Sequence, residues 1–115
     1  MMLRQGDIVL IPIPFTNLES QKKRPVMIIS NSYYNESSQD IIAIAITSNI
    51  RGLDYEVVIE NKDMIKGNLK KISCIRTDKI YTLSKKLIVK KFGKVNASIV
   101  SDVKESINIL IDWTS

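Results

Sequence analysis

Apolar residues in this chain come in short runs, and this constrains the fold more than any other feature. DIVLIPI (7–13), PVMIIS (25–30), IIAIAIT (41–47), YEVVI (55–59) and ISCIRT (72–77) are rich in β-branched side chains. Each is too short for a helix and is bounded by a polar loop, which reads as a strand. The loops are TNLESQKK, NSYYNESSQD, SNIRGLD and KDMIKGN, and Pro12 and Pro14 end the first strand as it leaves the sheet. A sixth apolar piece, LIVKKFGKV, follows near residues 87–95. The rhythm then changes. From Asn96 onward, Ile99, Val103, Ile107 and Leu110 recur at helical spacing, and Asn96 is suited to cap that helix. Six short strands followed by one C-terminal helix imply a mainly β protein, a strongly bent antiparallel sheet or barrel packed on the helix. The 115 residues suit a single domain, 1–115, with no repeat or linker.

Composition narrows the chemistry. The sequence has no histidine and one cysteine, Cys74. A histidine base, a histidine pair for RNA cleavage and a histidine-ligated metal are therefore excluded, and a zinc site is not expected. A lone cysteine inside an apolar run fits a reducing compartment. IVLIPIPF and IIAIAI are too short to cross a bilayer, and MMLRQGD has no apolar signal region, so a cytoplasmic protein with no membrane association is expected. The formal net charge is +5, which suits an anionic partner, nucleic acid first.

Three stretches can carry function. In QKKRPVMIIS (21–30), Lys22, Lys23 and Arg24 stand at the mouth of a buried strand. Thirteen of the seventeen basic residues are lysine, so an arginine at this post suggests a planar fork that grips a phosphate. A solvated charge run at a strand entrance is the plainer alternative. In IAITSN (44–49), Thr47, Ser48 and Asn49 put small hydrogen-bonding groups at a strand end, where they can hold phosphate oxygens or simply begin a loop. In SCIRTDKI (73–80), alternation places Arg76 and Asp78 on one side with Cys74 behind them, either an ion pair or an acid and base side by side. The D-x5-E-x-K spacing of Asp54, Glu60 and Lys62 suggests a metal-dependent nuclease only loosely. Tyr33, Tyr34, Tyr55 and Tyr81 can stack on bases or pack against the core.

The order GDIVLIPIPFTN, KRPVMIIS, IAITSN, IRTDKI and KKFGKV before a final helix resembles the MazF/PemK family of toxin endoribonucleases, from Gly6 to about Leu110. The resemblance implies a small SH3-like (MazF/PemK/CcdB-like) barrel with a C-terminal helix, usually a homodimer, that cuts single-stranded RNA, commonly mRNA, without metal or other cofactor. It implies that Arg24 and Thr47 act on the scissile phosphate, with Ser48 beside them, and that Arg76 and Asp78 match an R-x-D acid–base pair. The loop from Pro14 to Lys23 matches one that closes on RNA, so Phe15, Thr16, Asn17, Lys22 and Lys23 join Asn49 and Thr77 as expected RNA contacts. GNLKKISC departs from the frequent proline-containing approach to the R-x-D strand. An antitoxin with an acidic disordered tail is implied as partner, and operator DNA through the antitoxin complex. A non-catalytic member binding nucleic acid or antitoxin is the alternative.

Overall fold

The computed structural model describes residues 2–12 and 22–113. The expected RNA contacts Phe15, Thr16 and Asn17 lie outside the described residues. Seven strands form one antiparallel sheet: β1 (Asp7–Pro12), β2 (Lys23–Ile28), β3 (Asp40–Thr47), β4 (Glu56–Ile59), β5 (Met64–Lys66), β6 (Ser73–Ser84) and β7 (Lys90–Val95). Their order across the sheet is β4-β6-β3-β2-β1-β7-β5. The two outermost strands, β4 and β5, are thus neighbours in the chain, joined by one 3-10 turn, Asn61–Asp63. That link forces the sheet to curl until its edges approach, giving a half-barrel. The turn is fastened by the Asp63 carboxylate, which accepts from the Glu60 backbone N–H at 2.9 Å.

The two faces of the sheet follow from period-two alternation. One face gathers Ile8, Met27, Ile44, Ile46, Ile59 and Ile75 against Ile99 and Val103 of the C-terminal helix α2 (Ala97–Ile111). The helix begins where the sequence places it, because the Asn96 side chain accepts from the Ile99 N–H at 2.9 Å. The opposite face carries Val9, Ile11, Val26, Ile28, Ile41 and Ala43, covered by Leu3 and by Leu83, Leu87 and Ile88.

Three elements differ from the sequence reading. Among the described residues the sheet has seven strands, not six, because β5 lies inside the KDMIKGN loop. Strand β6 continues to Ser84, well beyond Thr77, pairing along the whole of β3. A short helix, α1 (Ser32–Ser37), occupies NSYYNESSQD. Its hold is polar: Asn31 caps the Tyr34 N–H at 2.8 Å, and the buried Asn35 amide donates to Leu3 O and Ser30 O. No apolar periodicity announces such a helix.

Strand β7 is irregular. Val9 pairs with Lys91 but Ile8 pairs with Gly93, leaving Phe92 as an extra residue. On its other side β7 crosses β5 so closely that a Cβ on Gly93 would lie 2.4 Å from Lys66 O. Gly67 meets the same crossing from β5 with φ +82 and a Cβ position 2.5 Å from Phe92 O.

Candidate active site

The site grows from the register of three strands. Val26, Ala45 and Arg76 sit side by side on β2, β3 and β6, so all three share the sheet face away from α2. Two residues further along β2 and β3, on that same face, come Arg24 and Thr47. Both line one cavity of about 260 Å³, whose wall among the described residues is otherwise mainly apolar, with Ile11, Pro25, Val26 and Tyr81 among its residues. The placement has a local cause. Arg24 is held extended by Pro25 and pairs with Ile11 across β1, while Thr47 is the last residue of β3. The Thr47 hydroxyl accepts from the Asn49 N–H at 3.1 Å, which leaves its proton for an acceptor in the cavity. Arg24 makes no ion pair or side-chain hydrogen bond among the described residues.

Arg76 is differently occupied. Its Nε and Nη2 donate side-on to the two Asp78 oxygens at 2.9 and 2.8 Å. The pair stands where β6 bulges: Ala45 faces Arg76 but Ile44 faces Ile80, so residues 77–79 loop out of the ladder. The hydrogen bonds from Arg76 hold the Asp78 carboxyl below its ordinary range, and the same bonds raise Arg76. A carboxyl with a lowered folded pKa adds stability above the unfolded value near about 3.9, lost as pH falls through the folded value. Carboxyl-carbon NMR should therefore give Asp78 a midpoint below about 3.9, and Arg76→Ala should raise it. A normal midpoint would mean that the side-on pair does not persist in solution.

Sequence reasoning missed Glu56, which pairs with Arg76 from β4. Its carboxylate accepts from the Arg51 and Leu53 N–H groups at 3.2 and 3.0 Å. Burial pushes this carboxyl up, but those backbone donors and the Cys74 thiol outweigh it and leave it below the ordinary value. Burial, then the neighbouring Glu56, pushes the Cys74 thiol up to about 11. Only knowledge of the register brings Glu56 to this row.

The other candidates divide. Lys22 and Lys23 are exposed at the entrance to β2, and Ser48 and Asn49 are exposed just past Thr47. Thr77 is corrected: it is fully buried, and its hydroxyl bonds Tyr55 O and Ser106 Oγ of α2 at 3.0 and 2.6 Å. Alternation turns it away from Arg76, so it fastens β6 to the helix and does not face the cavity. Tyr81, 39% exposed, forms part of the cavity wall. Glu60 pairs with Lys62 at 3.7 Å on the surface, and no group of three or more metal-ligating side chains occurs among the described residues.

A curled half-barrel closed by a C-terminal helix is also the fold of solved toxins, and here it carries arginine and threonine at the rim of one cavity. The family model described as PemK-like, MazF-like toxin of type II toxin-antitoxin system matches residues 4–111. The chain belongs to this family. It is 34% identical over 111 residues to Endoribonuclease MazF of Staphylococcus epidermidis, covering 94% of this chain and 90% of the relative. Among solved structures it resembles Mycobacterium tuberculosis toxin MazF-mt6, with TM-score 0.75 and 23% identity, covering 95% and 99% of the two chains. It also resembles the MazE-MazF crystal structure from Deinococcus radiodurans, with TM-score 0.80 and 18% identity, covering 99% and 100%. The last two likenesses concern the fold. Among the described residues no helix is long and apolar enough to cross a membrane.

Proposed function

We propose that this toxin is an endoribonuclease that holds the scissile phosphate of single-stranded RNA between Arg24 and Thr47. The observation that carries the reading is their convergence on one cavity, with the Arg24 fork uncommitted among the described residues. The name of the Staphylococcus epidermidis relative supports the activity. In the reaction, the 2′-oxygen gives up its proton and attacks the adjacent phosphorus. The bond to the 5′-oxygen breaks, and that oxygen takes a proton. A 2′,3′-cyclic phosphate and a free 5′-hydroxyl result, and neither histidine nor metal is required.

Arg24 answers the charge that builds on the phosphate, since a guanidinium stays protonated at any working pH. Thr47 donates its hydroxyl proton to a phosphate oxygen. Arg76 can join only by sharing its fork with Asp78, and an aspartate so held is a weak base. The division of labour therefore favours Arg24 and Thr47 for the phosphate, with Arg76 and Asp78 shaping the adjoining wall. Exposed Lys22, Lys23, Ser48 and Asn49 border the RNA path, and the loop holding Phe15, Thr16 and Asn17 belongs to the same path by family resemblance. A mycobacterial endoribonuclease of similar fold is known in complex with its cognate antitoxin. An acidic antitoxin segment, a second copy of this chain and a cytoplasmic setting complete the proposal, with operator DNA reached through the antitoxin complex.

The test is to incubate purified protein with a long RNA in excess chelator and map the ends. Cyclic phosphate ends are expected, and a 2′-deoxy nucleotide at a mapped cut should abolish that cut. Persistent cutting there would refute 2′-oxygen attack. No cutting of any RNA would favour a binding protein of the same fold.

A further inference from the structure

We infer that a second cationic site, built where β5 and β7 cross, holds the phosphodiester backbone of the RNA beyond the cleaved step. Arg4, Lys66, Lys91 and Lys94 surround a cavity of about 460 Å³. Strict alternation would put Lys91 and Lys94 on opposite faces, being three residues apart. The extra residue at Phe92 reverses this. Lys91 pairs with Val9 and Lys94 with Asp7, and these strand partners two apart share a face. Lys66 pairs with Lys94 and joins them. The crossing that sets this arrangement tolerates only glycine at position 93 without a backbone shift.

The charge is also left largely uncompensated. The one acid lining the cavity, Asp7, is 3% exposed and already engaged by the Arg4 backbone N–H at 2.9 Å and Lys91 Nζ at 3.1 Å. Lys66 and Lys94 have no ion pair among the described residues. Fixed cations without acids suit a polyanion.

Position favours RNA over an acidic peptide. Ile11 pairs with Arg24, and Val9, two residues before it, pairs with Lys91. Arg24 and Lys91 thus share a sheet face, two strand spacings apart across the sheet and two residues apart along it, roughly 12 Å. A short run of nucleotides leaving the Arg24 cavity and passing over the side chains that cover β1, Leu83, Leu87 and Ile88 among them, reaches these lysines. Electrostatic tracking of this sort is independent of sequence, so the site adds affinity for longer RNA and leaves the choice of cut to the first cavity.

This inference rests on the ribonuclease reading of the Arg24–Thr47 cavity, and its test separates the two. Fluorescent 2′-O-methyl oligonucleotides of roughly 6 and roughly 20 nucleotides, which bracket usual single-strand site sizes, serve as uncuttable probes. Wild type should prefer the longer probe. In K66Q/K94Q that preference should shrink several-fold, and the slope of log affinity against log salt for the longer probe should flatten by about 1.4, about 0.7 for each phosphate no longer neutralised. K62Q/K71Q, which removes the same charge from exposed positions outside the cavity, should keep both. An unchanged preference in K66Q/K94Q, or an equal loss in K62Q/K71Q, would overturn the inference. So would loss of poly-glutamate binding with RNA binding intact, which would assign the lysines to an acidic protein segment. The assignment of cleavage to the Arg24–Thr47 cavity fails separately, if Arg24→Ala cuts long RNA at the wild-type rate.

Discussion

Arg24→Lys is expected to cut RNA at a small fraction of the wild-type rate despite keeping the positive charge. Removing one preorganised donor from a site where charge develops typically costs ~10²–10³ in rate. Arg24→Ala should fall in that range, and lysine should recover little of it. The reason is geometric. Pro25 and the β1 ladder fix the arginine backbone, and a planar fork there can meet two oxygens of one phosphate, whereas an ammonium meets them as a point charge. Single-turnover cleavage of a saturating RNA isolates this effect from weaker binding. A lysine variant within a few-fold of wild type would show that charge alone is used. Comparable rates for Arg24→Ala and wild type, with Arg76→Ala inactive, would transfer the phosphate to the Arg76–Asp78 pair.

Gly93→Ala is expected to destabilise the protein more than a methyl group added in open space. Its Cβ would lie 2.4 Å from Lys66 O and 2.8 Å from Met64 Cε. The methionine tip can move, but the carbonyl belongs to the β5–β7 ladder and cannot yield without parting the strands. Overpacking of this kind costs about 1–3 kcal/mol, a fall in Tm of roughly 4–12 °C for a domain of this size. Gly52→Ala is the fitting comparison, since φ is +72 there but nothing lies within 4 Å of the new methyl. It should cost about 1 kcal/mol, from backbone strain alone. If thermal or urea unfolding ranks Gly52→Ala as the worse, the crossing is looser than the structure shows.

Much of this molecule could be read from its residues, for identifiable reasons. Helix α2 was legible because its cap and its periodicity agree: Asn96 precedes apolar residues at helical spacing, and both Ile99 and Val103 are buried. Strands β1, β2 and β3 were legible as β-branched runs. Helix α1 was not, because it is secured by Asn35 reaching Leu3 O, a partner 32 positions distant in the chain. Strand β5 has three residues and exists only through its crossing with β7. At the site, motif order singled out Arg24 and Thr47, and alternation alone placed Asp78 on the side of Arg76. The same alternation turns Thr77 to the other side, so its assignment to RNA followed the family pattern against the local geometry. Glu56 and the Lys66–Lys91–Lys94 group depend on pairing register and on a bulge, which propensity does not encode.

Cys74 gives this protein an internal gauge of its own opening. The thiol is completely buried, and with its pKa pushed up to about 11 it holds almost no thiolate at neutral pH. Alkylating reagents and mild oxidants consequently act on it through molecules in which the chain around it has opened, and the rate of labelling reports on how often that happens. The lone cysteine of the sequence is, in the folded chain, a silent reporter of how often the barrel breathes.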